Sequence, residues 1–157
     1  MLRLTKLTDY GTQVMTYLAH EPGSVHAAAE VAGSLHLSLP TVTKILKILA
    51  REGLLASHRG TKGGYALARA PERISVAQVV QAMEGPIGLT ECGSAPGVCV
   101  QESSCSVRGN WQVINRALLT ALENVSLAHM AAPSQPVLFS VMPKTRTQHL
   151  PLRRAET

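Results

Sequence analysis

Ser38-Leu39-Pro40-Thr41-Val42-Thr43-Lys44-Ile45-Leu46-Lys47-Ile48-Leu49-Ala50-Arg51-Glu52 decides the fold. Ser38 is a preferred N-cap residue, and Pro40 brings to the first turn a φ already set for a helix. At about 100° per residue, Val42, Ile45, Leu46 and Leu49 fall within one arc of about 100°. Thr43, Lys44, Lys47 and Arg51 occupy an arc of similar width on another side. One face is made for a core, and the other is cationic and hydroxylic. Upstream, His36-Leu37 reads as a tight turn, and an Ala-rich helix is expected over residues 26–35. Two helices joined by a tight turn, the second with such a face, form the helix-turn-helix pattern. Ser38, Thr41, Thr43, Lys44 and Lys47 are therefore expected in the major groove of a double-stranded DNA operator.

The flanks extend that pattern. Residues 54–58 and 65–68 read as short strands. Between them, Arg59-Gly60-Thr61-Lys62-Gly63-Gly64 has glycines to supply the positive φ of a hairpin, and places Arg59 and Lys62 at its tip. A basic hairpin directly after a helix-turn-helix is a wing, able to reach phosphates or the adjacent minor groove. Before the Ala-rich helix, Thr8 is expected to cap a first helix running to about His20, with Asp9 in its first turn and Val14, Tyr17 and Leu18 facing inward. Ser75 with Gln78 is a capping box for a helix over residues 76–84, which Gly85-Pro86 ends.

The chain has 157 residues with 45% apolar and 16% charged residues, enough for a packed core and too few charges for a wholly disordered chain. The net charge is +5, unevenly spread. Residues 1–73 carry nine Lys/Arg against five Asp/Glu, residues 74–132 carry two against four, and residues 133–157 carry four against one. A basic front half points to a polyanionic partner. No apolar run is long enough to span a bilayer, and Met1-Leu2-Arg3-Leu4-Thr5-Lys6 lacks the apolar stretch of a secretory signal. A cytoplasmic location with no membrane partner is expected. There are no internal repeats.

All three cysteines, Cys92, Cys99 and Cys105, lie in a Gly-, Pro- and Ser-containing loop over residues 87–105. Their odd number and the expected reducing compartment argue against structural disulfides. Thiolates select iron–sulfur clusters, zinc or cuprous copper, and a short loop brings three together at little closure cost. A cluster or zinc ion wants four ligands, so the fourth comes from elsewhere or the site stays open. Beyond the loop, Trp111, Ile114, Leu118, Leu122 and Val125 recur at spacings of three and four. They make a narrow apolar stripe on one long helix, as in a homodimer seam; packing on the chain's own domain is the alternative. A further short helical turn is expected over residues 126–130. Residues 133–157, with Val137-Leu138-Phe139 as their one apolar cluster, read as a flexible basic tail. The expected architecture is mainly α with a small β-wing. It divides into a winged helix-turn-helix domain (1–73), a cysteine-loop and dimerisation-helix region (74–132) and the tail (133–157).

Four stretches carry a family resemblance: Leu4-Thr5-Lys6-Leu7-Thr8-Asp9-Tyr10-Gly11, Leu39-Pro40-Thr41-Val42-Thr43-Lys44-Ile45-Leu46, Arg59-Gly60-Thr61-Lys62-Gly63-Gly64-Tyr65-Ala66-Leu67-Ala68-Arg69 and the three-cysteine loop. Over residues 1–132 the chain resembles the Rrf-type winged-helix regulators of bacteria, which include the iron–sulfur cluster regulator and the nitric-oxide-sensing repressor. Ala82-Met83-Glu84-Gly85-Pro86, Thr90-Glu91-Cys92, Asn110-Trp111 and Ser126-Leu127-Ala128-His129-Met130 are similar to the subgroup that regulates the SUF iron–sulfur assembly system.

The resemblance implies a homodimer on a roughly palindromic operator, with an iron–sulfur cluster held by Cys92, Cys99 and Cys105. A 2Fe–2S cluster is favoured over 4Fe–4S. In the cluster regulator a His follows the third cysteine by three positions; here Arg108 stands there and cannot ligate iron. In the nitric-oxide sensor an N-terminal Asp from the partner subunit is the fourth ligand, and Asp9 matches it. First-turn dipole stabilisation is the alternative role for Asp9, and Glu91, Glu102, an exogenous ligand or an open iron site are alternatives for the fourth position. The implied function is a transcriptional regulator, not an enzyme, whose operator binding follows the cluster and which controls SUF genes. The alternatives are a nitric-oxide-, redox- or iron-responsive repressor of other genes, and a cluster-free thiol or zinc switch of the same fold. A small thiol or metal enzyme is the rival of another class; no Cys-x-x-Cys, metalloprotease motif or phosphate loop supports it.

Overall fold

A computed structural model describes residues 3–95 and 97–133. Along the chain lie α1 (Lys6–His20), α2 (Ala28–Leu35), α3 (Leu39–Arg51), β1 (Leu55–His58) and β2 (Gly64–Leu67). A single 3-10 turn at Pro71–Arg73 follows, then α4 (Val76–Glu84), the one-turn α5 (Glu91–Ser94), α6 (Arg108–Glu123) and α7 (Leu127–Ala131). The expected tail from residue 134 onward, with Val137-Leu138-Phe139, lies outside the described residues.

The core forms where three helices bring their apolar arcs together. Val42, Ile45, Leu46 and Leu49 of α3 are all fully buried, as their arc requires. Val14, Met15 and Leu18 of α1 and Val31 of α2 meet them. The same core draws on both sides of residue 73, since Ile74, Val79 and Leu127 are fully buried in it. Two backbone bonds sew the returning chain in place: Leu127 N–H donates to the Ile74 carbonyl and Val76 N–H to the Val125 carbonyl, both at 2.8 Å. Each buried aliphatic side chain contributes about 1.5–3 kcal/mol. The stability of the recognition helix is therefore inseparable from α1, α4 and α7.

Several local expectations are corrected by contacts distant in sequence. α1 starts at Lys6 with Thr5, not Thr8, as its cap; the Thr5 hydroxyl accepts the Thr8 N–H at 3.2 Å. Thr8 sits one turn further in, fully buried. α2 starts at Ala28 because His26 is committed to the wing: His26 and Tyr65 exchange both backbone hydrogen bonds at 2.9 Å. His36, with φ 54°, ends α2 in the left-handed conformation and turns the chain into α3.

The wing is an antiparallel pair with Leu55 opposite Leu67 and His58 opposite Gly64. Of its three glycines only Gly60 needs a positive φ, 111°. Gly63 and Gly64 are small for a different reason. A Cβ on Gly64 would lie 2.3 Å from the His26 carbonyl oxygen, and one on Gly63 2.5 Å from that of His58. The hairpin is packed too closely for a side chain at either place. The result is the expected mainly helical winged helix-turn-helix fold. No helix among the described residues is long and apolar enough to cross a membrane.

Candidate nucleic-acid interface and cysteine loop

The outer face of α3 carries the predicted cations in the open. Lys44 and Lys47 are exposed and Thr43 is half-buried. With Leu39, Pro40, Ile48 and Arg51 they line a shallow hollow along the helix. Arg59 and Lys62 are exposed at the wing tip, where Gly63 N–H closes the turn onto the Gly60 carbonyl at 2.9 Å. None of these four Lys and Arg residues pairs with a carboxylate among the described residues, whereas Arg51 pairs with Glu52 at 3.2 Å. Unpaired cations on one helix face and one hairpin tip suit phosphates. Ser38 and Thr41 are occupied differently: the Ser38 hydroxyl accepts the Thr41 N–H at 3.4 Å, and the two hydroxyls lie 2.7 Å apart. They serve the helix start before they serve a ligand.

Behind this face lies a link that sequence reading passed over. Glu84, the last residue of α4, reaches the start of α1. Its Oε1 accepts the Thr5 N–H at 2.7 Å and the Thr8 hydroxyl at 2.6 Å. Those bonds, the Thr8 hydroxyl first, hold the Glu84 carboxyl below the usual carboxylate range. Glu84 also lies eight residues ahead of Cys92, so the entry to the cysteine loop is tied to α1.

The same entry half of the loop is tied to α6 by Asn115. Its Oδ1 accepts the Leu89 N–H at 3.1 Å, and its amide donates to the carbonyls of Gly93 at 3.1 Å and Ile87 at 3.4 Å. Three bonds from one half-buried side chain fix the turn α5, which the sequence showed only as loop. Nothing in the sequence marked Asn115 for this role, since its partners lie more than twenty residues upstream.

The three cysteines are free thiols, all half-buried. Cys92, on α5, lies 3.3 Å from the Thr90 hydroxyl and lines a hollow between α4 and α6 with Gln81, Asn115 and Arg116. The carbonyls of Cys99 and Cys105 accept turn bonds from Glu102 and Arg108. The Glu102 carboxylate takes the Gly97 N–H and the Arg108 guanidinium. Glu102 thus clamps the loop, and Arg108 is held as its ion-pair partner. Asp9 is exposed on α1 in a groove with Thr12, Thr16 and His20, and accepts from Gln13 at 3.2 Å. Among the described residues no three His, Cys, Asp or Glu side chains lie within reach of one ion. The donors are the right type for an iron–sulfur cluster and share one loop, but they have to draw together to hold it.

Trp111, Ile114, Leu118 and Leu122 lie on α6, and none of them is fully buried. Trp111 is 38% and Ile114 47% exposed. Leu118 and Leu122 border a hollow shared with Val80 and Leu89 of the same chain. Val125 lies past the helix end, in the strip whose carbonyl bonds Val76.

Comparison with known proteins places this geometry. The family model described as "Rrf2: Iron-dependent Transcriptional regulator" matches residues 4–133. The HTH-type transcriptional regulator NsrR of Halalkalibacterium halodurans is 31% identical over 128 residues, 80% of this chain and 88% of that protein. Among solved structures, CymR (YrzC), the global cysteine regulator of B. subtilis, superposes with a TM-score of 0.70 at 26% identity, over 86% of this chain and all of that one. T. potens IscR does so with a TM-score of 0.63 at 26% identity, over 85% and 93%. These named relatives are transcriptional regulators, not enzymes.

Proposed function

From a chain that belongs to the Rrf2 family of transcriptional regulators, we propose a homodimeric, cytoplasmic regulator whose grip on a palindromic DNA operator is set by an iron–sulfur cluster. Thr43, Lys44 and Lys47, with Ser38 and Thr41 at the helix start, enter the major groove. Arg59 and Lys62 hold the flanking backbone. The exposed part of the α6 stripe, with Trp111 and Ile114, pairs two copies. Cys92, Cys99 and Cys105 hold the cluster, with Asp9 of the other copy as fourth ligand and a 2Fe–2S form favoured over 4Fe–4S. When bound, the cluster supplies a redox- and ligand-sensitive centre. The regulated genes are those of SUF iron–sulfur assembly.

One observation supports the control step above all others: the entry half of the cysteine loop is fastened on two sides, to α1 and to α6. Glu84 ties its entry to the start of α1, which packs on α3, and Asn115 ties α5 to α6. A loop that tightens pulls on both the DNA-binding core and the dimer helix. Two recognition helices must sit about one DNA turn apart, so a small shift between copies alters operator affinity. A hundredfold change needs about 2.7 kcal/mol of coupling, well within what thiolate ligation can supply.

Anaerobic reconstitution tests the reading. A brown protein with visible absorption, iron and acid-labile sulfide near two per chain supports a 2Fe–2S centre. A colourless protein with stoichiometric zinc, or with reversible thiol oxidation alone, replaces it with a cluster-free switch on the same fold.

A further inference from the structure

Resting on the reading of α3 as the DNA-reading helix, we propose that its first turn selects thymine, with Leu39 and Pro40 forming an apolar seat for the thymine 5-methyl group. A helix start ordinarily offers free N–H groups to an anion. This one keeps the Leu39 N–H, but the others are spent or missing. Pro40 has no N–H, the Thr41 N–H is taken by the Ser38 hydroxyl, and the Val42 N–H donates to the Ser38 carbonyl at 3.1 Å. The Ser38 and Thr41 hydroxyls face each other at 2.7 Å. The polar side chains of the turn are satisfied by one another, while Leu39 and Pro40 present carbon outward.

Leu39 is 47% exposed, and Pro40 beside it is exposed too. They form one end of the hollow that continues past Thr43 and Ile48 and is flanked by Lys44, Lys47 and Arg51. The cations, on one stripe of the helix, suit backbone phosphates, and the apolar end suits the floor of a groove. In the major groove the thymine methyl is the apolar feature; the other base edges show donors and acceptors. Seating Leu39 on those edges would dehydrate polar groups without replacing their hydrogen bonds. Leu39 thus discriminates by the methyl it accepts and by the polar edges it penalises.

The test uses the full chain and a random duplex pool, from which the tightest operator is selected. Each thymine is then replaced in turn by deoxyuridine, which removes the methyl alone. At one thymine in each half-site, affinity should fall about three- to tenfold. Leu39→Ala should bind thymine and deoxyuridine duplexes within about twofold of each other with the wild-type salt slope, because no phosphate contact has changed. Leu39→Met, which keeps the apolar surface, should retain the preference. The proposal is overturned if no thymine responds to methyl removal in the wild type, or if Leu39→Ala keeps the same penalty. A pool that yields no enriched duplex overturns the DNA-reading role itself.

Discussion

α3 and α6 both carry an apolar stripe legible in the sequence, yet α3 buries four side chains completely and α6 buries none. The period of a stripe says that a face wants a partner; it does not say where the partner is. For α3 the partner is its own chain, with α1 and α4 closing over it. For α6 the chain supplies half a partner. Leu118 and Leu122 border α4 and the loop after it, while Trp111 and Ile114 are left open. A second copy of the chain completes that face in the proposed dimer.

The largest effect that sharpens this contrast is in the core. Leu46→Ala should lower unfolding free energy by about 2–5 kcal/mol, read from denaturant melts, because it leaves a cavity among fully packed neighbours. Trp111→Glu with Ile114→Glu should leave the fold intact but convert the dimer to monomer in sedimentation velocity, and weaken operator binding with it. A monomeric wild type, or a double variant that stays dimeric, breaks the contrast and hands the α6 stripe to its own domain. Next in size is the cationic face: Lys44→Ala with Lys47→Ala should lower the slope of log affinity against log salt by about two. Unchanged affinity and slope would place the DNA elsewhere.

How much of this was legible in sequence follows from the range of the interactions. α3 was readable because Ser38, Pro40 and the Val42–Leu49 arc act within one helix. The Ser75–Gln78 box was readable for the same reason, and both of its bonds are present. The start of α1 was not. Thr5 and Thr8 are equally good caps locally, and the choice is made by Glu84, far along the chain. His26 looked like the first turn of a helix until Tyr65 claimed its backbone. In the cysteine loop, residue type pointed to metal chemistry, but Asn115, which fixes α5, carried no motif. Local grammar predicts elements; the site is assembled by side chains reaching across them.

Two smaller effects probe that assembly. Asn115→Ala should speed amide exchange at Leu89 and Gly93 by about tenfold or more, since it frees one amide directly and loosens the turn holding the other. Equal exchange rates would mean that the loop is held by something else. For Glu84 the sign of the pH effect is set by its lowered carboxyl pKa. Its stabilising contribution is fully present above the unfolded value near 4.5 and is lost as pH falls through the lower folded value. Because the group is largely solvent-screened, the slope is shallow. Between about pH 5 and pH 2, Glu84→Gln should remove that part of the acid-side loss of stability, measured by thermal melts across the range.

Operator occupancy with and without the cluster shows whether the three thiols govern DNA binding. Anaerobic protein is footprinted on its own promoter region before and after iron and sulfide reconstitution, beside a variant with Cys92, Cys99 and Cys105 all changed to Ser. The wild-type midpoint should shift by at least about tenfold, which corresponds to about 1.4 kcal/mol of coupling, while the variant keeps one midpoint in both conditions. An equal shift in both proteins, or none in a wild type shown to carry its cluster, would contradict the account.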